Sequence, residues 1–217
     1  MERIDDSTMI SYDFTPEAVV VGGGDFPTHK TPLGILHSTS KVVCCDGAAD
    51  EYLAHELTPW RIVGDGDSLS IEAKSNYANI IRINPDQETN DQTKAIEYLA
   101  GKGIKDIAIV AATGRREDHT LGNISLLIEY LNMGLNVRIY TDYGMMVACS
   151  GNQAFSCPKG TAVSIFGFGT KGMTGEGLAY PIRDFTSWWQ GTLNKTTAAQ
   201  FSIHSQGKYI VFLNYPQ

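Results

Sequence analysis

Asp106–Met133 reads DIAIVAATGRREDHTLGNISLLIEYLNM. Its opening, Ile107–Ala112, is apolar at every position, so it has no polar face to turn toward water. A strand of that kind is expected inside a parallel sheet covered by helices on both faces. A glycine-bearing loop follows. From Asp118 to Met133 the apolar residues Leu121, Ile124, Leu127, Ile128 and Leu131 recur at helical spacing, which predicts one helix with a single core-facing side. Strand, loop and helix in that order form the repeating unit of an α/β fold.

The same alternation extends outward from this stretch. The sequence predicts strands at Ala18–Val21, Lys41–Cys45, Arg61–Val63, Ile80–Ile83 and Asn136–Thr141. Between them it predicts helices at Thr31–Ser38, Ala48–Leu57, Ser70–Tyr77 and Asp91–Lys102, the last with Ala95, Ile96 and Leu99 on one face. After Asp142 the helical period stops. Short β-type segments follow at Met145–Cys149, Ala154–Cys157, Ala162–Phe166, Leu178–Ile182, Ala199–His204 and Tyr209–Asn214, separated by glycines. The expectation is a doubly wound α/β domain over 1–142, then an all-β antiparallel sandwich domain over 143–217.

Composition narrows the function. The chain has 217 residues, 42% of them hydrophobic, with net charge −7 and no basic cluster beyond pairs such as Arg115-Arg116. A nucleic-acid binder needs a cationic face, and none is visible. No uncharged run reaches the roughly 18 residues that cross a bilayer, and MERIDDSTMISYDF lacks the apolar core of a secretion signal. Cys44, Cys45, Cys149 and Cys157 show neither zinc-ligand nor disulfide-framework spacing. They read as buried hydrophobes in a cytoplasmic protein.

Open parallel sheets bind ligands beyond the carboxyl ends of their strands. VVGGGD (Val20–Asp25) ends the first strand in glycines, so the backbone at Gly23 and Gly24 can approach an anion closely. KVVCCDGA brings Asp46 to the second strand end, and IVGDGDS brings Asp65 and Asp67 to the third. INPDQETNDQTK supplies Asp86, Gln87, Asp91 and Lys94 after the fourth. AATGRREDHTLGN supplies Arg115, Asp118, His119 and Asn123 after the fifth. Asp46 or Asp86 alone would read as a turn or helix cap. Asp65 and Asp67, one glycine apart, repel each other unless a cation lies between them. Paired carboxylates suit Mg²⁺, a hard ion that shares oxygen ligands with phosphate. Arg115 offers a bidentate fork to phosphate oxygens and Lys94 a point charge. Metal ligands, cations and acids on one rim are the requirements of phosphoryl transfer.

Other motifs are missing or incomplete. There is no G-x-x-x-x-G-K-[ST], and the triple glycine lacks dinucleotide-binding spacing. Ser68, Asp118 and His119 do not form a hydrolase set, because Ser68 has no nucleophile elbow.

CDGA, VGDGDS, the Q-x-x-x-D-x-x-K of Gln87–Lys94 and GRREDHTLGN, in this order and at these intervals, resemble thiamine pyrophosphokinase. EGLAYPI (Glu176–Ile182) and Asn194 extend the resemblance through the C-terminal half. It implies an enzyme that uses Mg²⁺ and ATP to pyrophosphorylate thiamine, built as a homodimer with thiamine bound between subunits. Carried over position by position, Asp46, Asp65, Asp67, Asp91, Arg115 and Asp118 would be catalytic, with Asp65, Asp67 and Asp91 on the metal. Gly23, Gly24, Gln87, Lys94, Arg115, His119 and Asn123 would hold the nucleotide together with Asp46. Asp91, Asp118, Tyr180 and Asn194 would meet thiamine, with the Tyr180 ring stacked on the cationic heterocycle. The sequence departs from the pattern at Tyr180, where many relatives carry Trp, and at Leu193, which replaces a serine. A pyrophosphokinase for a pterin-like alcohol, or a non-catalytic nucleotide or thiamine binder, are the alternative readings.

Overall fold

Residues 9–216 are described by the computed structural model, and they divide into two compact units. One is Thr15–Asp142. The other combines the described part of Met1–Phe14 with that of Tyr143–Gln217. The sequence reading placed 1–142 together, whereas Ile10 bridges to Phe155 and so belongs with the second unit; residues 1–8 and 217 lie outside the described residues.

Thr15–Asp142 is built on a parallel sheet of β1 (Ala18–Val21), β2 (Val42–Cys45), β3 (Arg61–Gly64), β4 (Ile81–Ile83), β5 (Asp106–Val110) and β6 (Asn136–Tyr140). Its strand order is β6-β5-β1-β2-β3-β4. Ala18, Val19 and Val20 and Ile107 through Val110 are fully buried, which explains their lack of polar alternation. The helices are α1 (Lys30–Leu36), α2 (Ala48–Ala54), α3 (Ile71–Asn76), α4 (Asp91–Ala100), α5 (Glu117–Ser125) and α6 (Leu127–Asn132). Asn90 caps α4 by accepting from the Thr93 N–H, and Ala95, Ile96 and Leu99 fill the core as the period required.

The helix predicted over Asp118–Met133 is instead the pair α5 and α6, meeting at Leu126. Near the junction Ser125 Oγ donates to the Gly122 carbonyl at 2.8 Å, competing with the backbone ladder. No residue of α5 is buried, and Leu121 is 55% exposed rather than core-facing.

The second unit is an antiparallel β-sandwich of β7 (Gly144–Ser150), β8 (Gln153–Ser156), β9 (Ala162–Glu176), β10 (Asn194–Lys195) and β11 (Gln200–Asn214). The early part of β11 pairs with β8 and the later part with β7, while β9 runs along its other edge. Register shifts between His204 and Lys208, with Gly207 at φ 96°, mark a bulge within β11. Two predicted segments, Ala199–His204 and Tyr209–Asn214, are thus one strand. β9 likewise passes through Gly167, Gly169, Gly172 and Gly175 without ending. Leu178–Ile182, predicted as a strand, is not one; its Leu178 forms an isolated β-bridge with Thr196. Phe155 stacks on Phe201 with centroids 4.6 Å apart, in a core shared with Ile203 and Tyr209. Among the described residues no helix is long and apolar enough to cross a membrane.

Candidate active site

In the parallel sheet β2, β3 and β4 follow β1 to one side, while β5 and β6 lie on the other. The winding therefore reverses between β1 and β5, and the crevice beyond their carboxyl ends is where such sheets bind ligands. The two strand ends stay joined past the sheet: the Gly24 N–H donates to the Ala111 carbonyl at 2.7 Å and the Asp25 N–H to the Thr113 carbonyl at 2.9 Å. A Cβ on Gly24 would lie 2.1 Å from the Thr113 oxygen, so only glycine permits this approach. Gly24 shapes the crevice, and Gly23 lines it.

The crevice opens into a cleft of about 560 Å³ lined by Gly23, Asp46, Asp65, Gln87, Asp91, Lys94, Arg115, His119 and Asn123. The segments after five strands, β1 to β5, and the starts of α4 and α5 bring these side chains together from across the sequence.

Asp46 follows β2 directly, with its backbone in the left-handed region at φ 36° and only 3% of its surface exposed. Its Oδ2 accepts from the Ser68 N–H at 2.8 Å. Burial pushes the carboxyl above its ordinary range, the Ser68 N–H opposes this, and the neighbouring Asp91 and Asp65 charges raise it further. Asp65 is held below the ordinary range because its Oδ1 accepts from the Asp67 N–H at 3.0 Å and its Oδ2 from Gln87 Nε2 at 3.2 Å. Asp91 starts α4 and meets Lys94 Nζ at 3.1 Å; Lys94 is 3% exposed, and its ammonium is the buried cation of the cleft. Arg115, at φ 60°, donates to the Gly23 carbonyl at 3.2 Å and pairs with Glu51 on α2.

Other expected site residues lie elsewhere. Asp67 is exposed and does not line the cleft; its N–H orders Asp65. Asp118 is also outside, in a two-pronged pair with Arg116 at 3.1 and 2.6 Å that lowers its carboxyl. Asp86 closes its own turn on Glu88 and Thr89. Asn123 reaches the cleft with its amide already engaged: Nδ2 donates to the Ala112 carbonyl at 2.8 Å, and Oδ1 accepts from Asn90 at 3.0 Å. Tyr180 and Asn194 belong to the sandwich unit, Tyr180 64% exposed and Asn194 buried. Sequence reasoning missed the Ser68 N–H and Glu51. Glu51 could have been found from the acidic first turn of α2, but its partner lies far along the chain.

The donors facing the cleft are carboxylate oxygens, the set a hard divalent cation takes. A cation there would offset the Asp91 and Asp65 charges that add to the burial raising Asp46, so the chemistry of these donors fits Mg²⁺. Among the described residues, no three of His, Cys, Asp and Glu are already drawn together tightly enough to hold a metal.

Fold and cleft together define an α/β protein with acids and bases gathered at one sheet edge, carrying a β-sandwich unit. The family model described as thiamin pyrophosphokinase, catalytic domain, matches residues 34–139, and that of its substrate-binding domain matches 144–212. The chain belongs to the thiamin pyrophosphokinase family. It is 25% identical over 115 residues to thiamin pyrophosphokinase 1 of Caenorhabditis elegans, covering 49% of this chain and 47% of the relative. Thiamine pyrophosphokinase 1 of rice (Oryza sativa subsp. japonica) is 30% identical over 116 residues, covering 42% and 44%. The matched region thus spans about half the length of these relatives. Among solved structures, thiamine pyrophosphokinase from Bacillus subtilis superposes with TM-score 0.75 at 19% identity, over 92% of this chain and 99% of that one. The Candida albicans enzyme gives 0.77 at 16%, over 98% and 95%. At these identities the likeness is one of fold.

Proposed function

We propose that the protein is a thiamine pyrophosphokinase, transferring pyrophosphate from ATP to the hydroxyl of thiamine to give thiamine diphosphate and AMP. The observation that carries this reading is the meeting of Asp46, Asp65 and Asp91 with Lys94 and Arg115 in one cleft at the sheet's switch point.

Lys94 and Arg115 hold the triphosphate oxygens and offset the charge that builds as the transfer proceeds. Gly23 brings backbone close to the phosphates. Asp65 and Asp91, with Asp46 beside them, would hold Mg²⁺, which when bound screens the phosphate charge and orients it. The thiamine hydroxyl oxygen forms a bond to the β-phosphorus, and the bond from that phosphorus to the bridging oxygen of the α-phosphate breaks. AMP leaves with that oxygen, and the hydroxyl proton passes to a cleft carboxylate. Asp91 lines the cleft and is the acceptor this reading favours over Asp118, which lies outside the lining and is paired with Arg116. Positioning and electrostatics supply the rate, with no covalent intermediate on the protein.

Tyr180, with its ring in solvent on the sandwich unit, is suited to stack on a cationic heterocycle. The reading includes a homodimer, supported by exposed Trp189 and Leu193 on the same unit, and sedimentation velocity tests it. It also includes a cytoplasmic setting, in keeping with four free, buried cysteines.

The deciding experiment is a coupled AMP-release assay with Mg–ATP and thiamine, repeated with chelator and with hydroxymethylpterin in competition. Thiamine-dependent AMP release that stops with chelator is expected. Ligand-induced stabilisation without AMP, or release driven by the pterin, would replace this reading with one of its rivals.

A further inference from the structure

Asn194 stands where the family resemblance expects a side chain that touches thiamine, yet its amide oxygen and one amide N–H are engaged inside the protein. It is 7% exposed. Its Oδ1 accepts from the Tyr180 N–H at 3.1 Å and from the Lys195 N–H at 2.8 Å, and its Nδ2 donates to the Tyr180 carbonyl at 2.9 Å. A carboxamide oxygen has two lone pairs, and both are taken.

The neighbouring hydrogen bonds explain the need for this. Gly177–Tyr180 is not part of a strand, but it hangs on β10 and the two residues after it. The Thr197 N–H donates to the Gly177 carbonyl at 2.8 Å and the Ala179 N–H to the Lys195 carbonyl at 2.8 Å, either side of the Leu178–Thr196 bridge. At Tyr180 that short ladder runs out. The Asn194 side chain takes the place of a backbone partner there, pairing with both the N–H and the carbonyl of Tyr180. The residue before it, Leu193, sits at φ 64° and is 84% exposed, an unfavourable backbone for a γ-branched side chain. The main chain of Tyr180 is therefore fixed while 64% of the residue remains in solvent.

We propose that Asn194 is a positioning residue: it clamps the Tyr180 backbone so that the ring presents its face to a flat, cationic heterocycle, and does not itself contact the ligand. This rests on the proposed role of Tyr180 in holding thiamine. A pre-set aromatic face loses less freedom on binding, which is why the clamp favours affinity.

The test uses the full chain and compares wild type with N194A, N194D, Y180A and N194A/Y180A. Steady-state AMP release gives separate KM values for thiamine and ATP, and amide hydrogen exchange reports on the Tyr180 N–H. N194A should raise the thiamine KM about tenfold by freeing the Tyr180 backbone. It should leave the ATP KM unchanged and speed exchange at Tyr180. N194D keeps an acceptor for the Tyr180 N–H but loses the donor to its carbonyl, so it should show a smaller rise and serves if N194A folds poorly. Because Asn194 acts through Tyr180, N194A should add little in the Y180A background. An unchanged thiamine KM in both Asn194 variants, unchanged exchange, or a fully additive double variant would each overturn the clamp. So would equal rises in both KM values. Failure of the underlying reading looks different: wild type would release no AMP with thiamine, or Y180A would bind thiamine normally.

Discussion

Gly64 is the last residue of β3, and its place in the fold makes Gly64→Ala a sharp test of the cleft. Its φ is not positive, so alanine meets no intrinsic backbone objection. The difficulty is space. A Cβ on Gly64 would lie 2.6 Å from Asp46 Cβ and 3.2 Å from both Asp46 Cα and Cγ. Non-bonded carbons rest at about 3.5–4.0 Å, so the two residues must separate by roughly 1 Å. The strands cannot simply part. The Asp46 N–H donates to the Val63 carbonyl at 2.9 Å and the Asn84 N–H to the Gly64 carbonyl at 2.8 Å, which tie the position on both sides. The displacement falls on the Asp46 side chain and its approach to the cleft. Overpacking of this kind costs about 1–3 kcal/mol. For a chain of this size that lowers Tm by about 2–12 °C. A reactive group moved by about 1 Å costs on the order of 100-fold in turnover. Differential scanning fluorimetry and AMP release measure the two effects. Gly34→Ala is the matched control, because nothing lies within 4 Å of its added Cβ. A Gly64→Ala protein with wild-type Tm and wild-type turnover would refute the claim that Asp46 is seated against Gly64 for catalysis.

The other predictions concern the same cleft. Asp46→Asn should abolish AMP release yet raise Tm at neutral pH, since the raised folded-state carboxyl means ionisation works against folding. For such a group the favourable contribution is present below its unfolded pKa and is lost as pH rises through the folded one. The Tm advantage of Asp46→Asn should therefore shrink as pH falls into the carboxylate range, and a pH-independent or negative difference would contradict the cause given. Asn123→Ala removes the bond to the part-buried Ala112 carbonyl and the exposed one from Asn90, and should cost about 0.5–1.5 kcal/mol in urea unfolding. Arg115→Lys keeps the charge and loses the fork, so ATP KM should rise about tenfold while thiamine KM holds.

Much of this arrangement was legible in the sequence because each residue involved obeys a local rule. Parallel strands buried on both faces read as unbroken apolar runs, and every strand of the α/β unit starts or ends within two residues of its expected bounds. Acids and glycines after those strands were also readable, since their spacing from a strand end places them at one edge. Orientation within the edge was not. Asp67 follows Asp65 by two residues, and only the turn geometry, with the Asp67 N–H folded back onto Asp65, sends the second carboxylate to solvent. Asp118 looked like a cleft acid, but Arg116, two residues before it, captured it. The helix period gave Leu121 a core-facing place, yet α5 buries none of its residues, so amphipathic spacing was followed by no partner surface within the described chain. In the sandwich unit glycine was read as a chain break. In β9 it instead permits curvature inside one long strand, a distinction that depends on cross-strand pairing and not on local sequence.

The charge of the cleft carries a thermodynamic consequence for the proposed reaction. Asp46, Asp65 and Asp91 face the same space as Lys94 and Arg115, so acids outnumber bases before any ligand arrives. A triphosphate adds several more negative charges. In a partly buried site, where screening is weak, that repulsion opposes nucleotide binding unless a divalent cation enters with it. Cation and nucleotide must then favour each other by the same factor, whichever binds first, because the coupling free energy is a property of the pair. Isothermal titration with ATP, at a series of Mg²⁺ concentrations, should show affinity climbing with Mg²⁺. Asp65→Asn should flatten that dependence while improving the affinity for metal-free ATP. Equal affinity with and without Mg²⁺ would mean that Lys94 and Arg115 alone balance the phosphates, and the carboxylates would need another explanation.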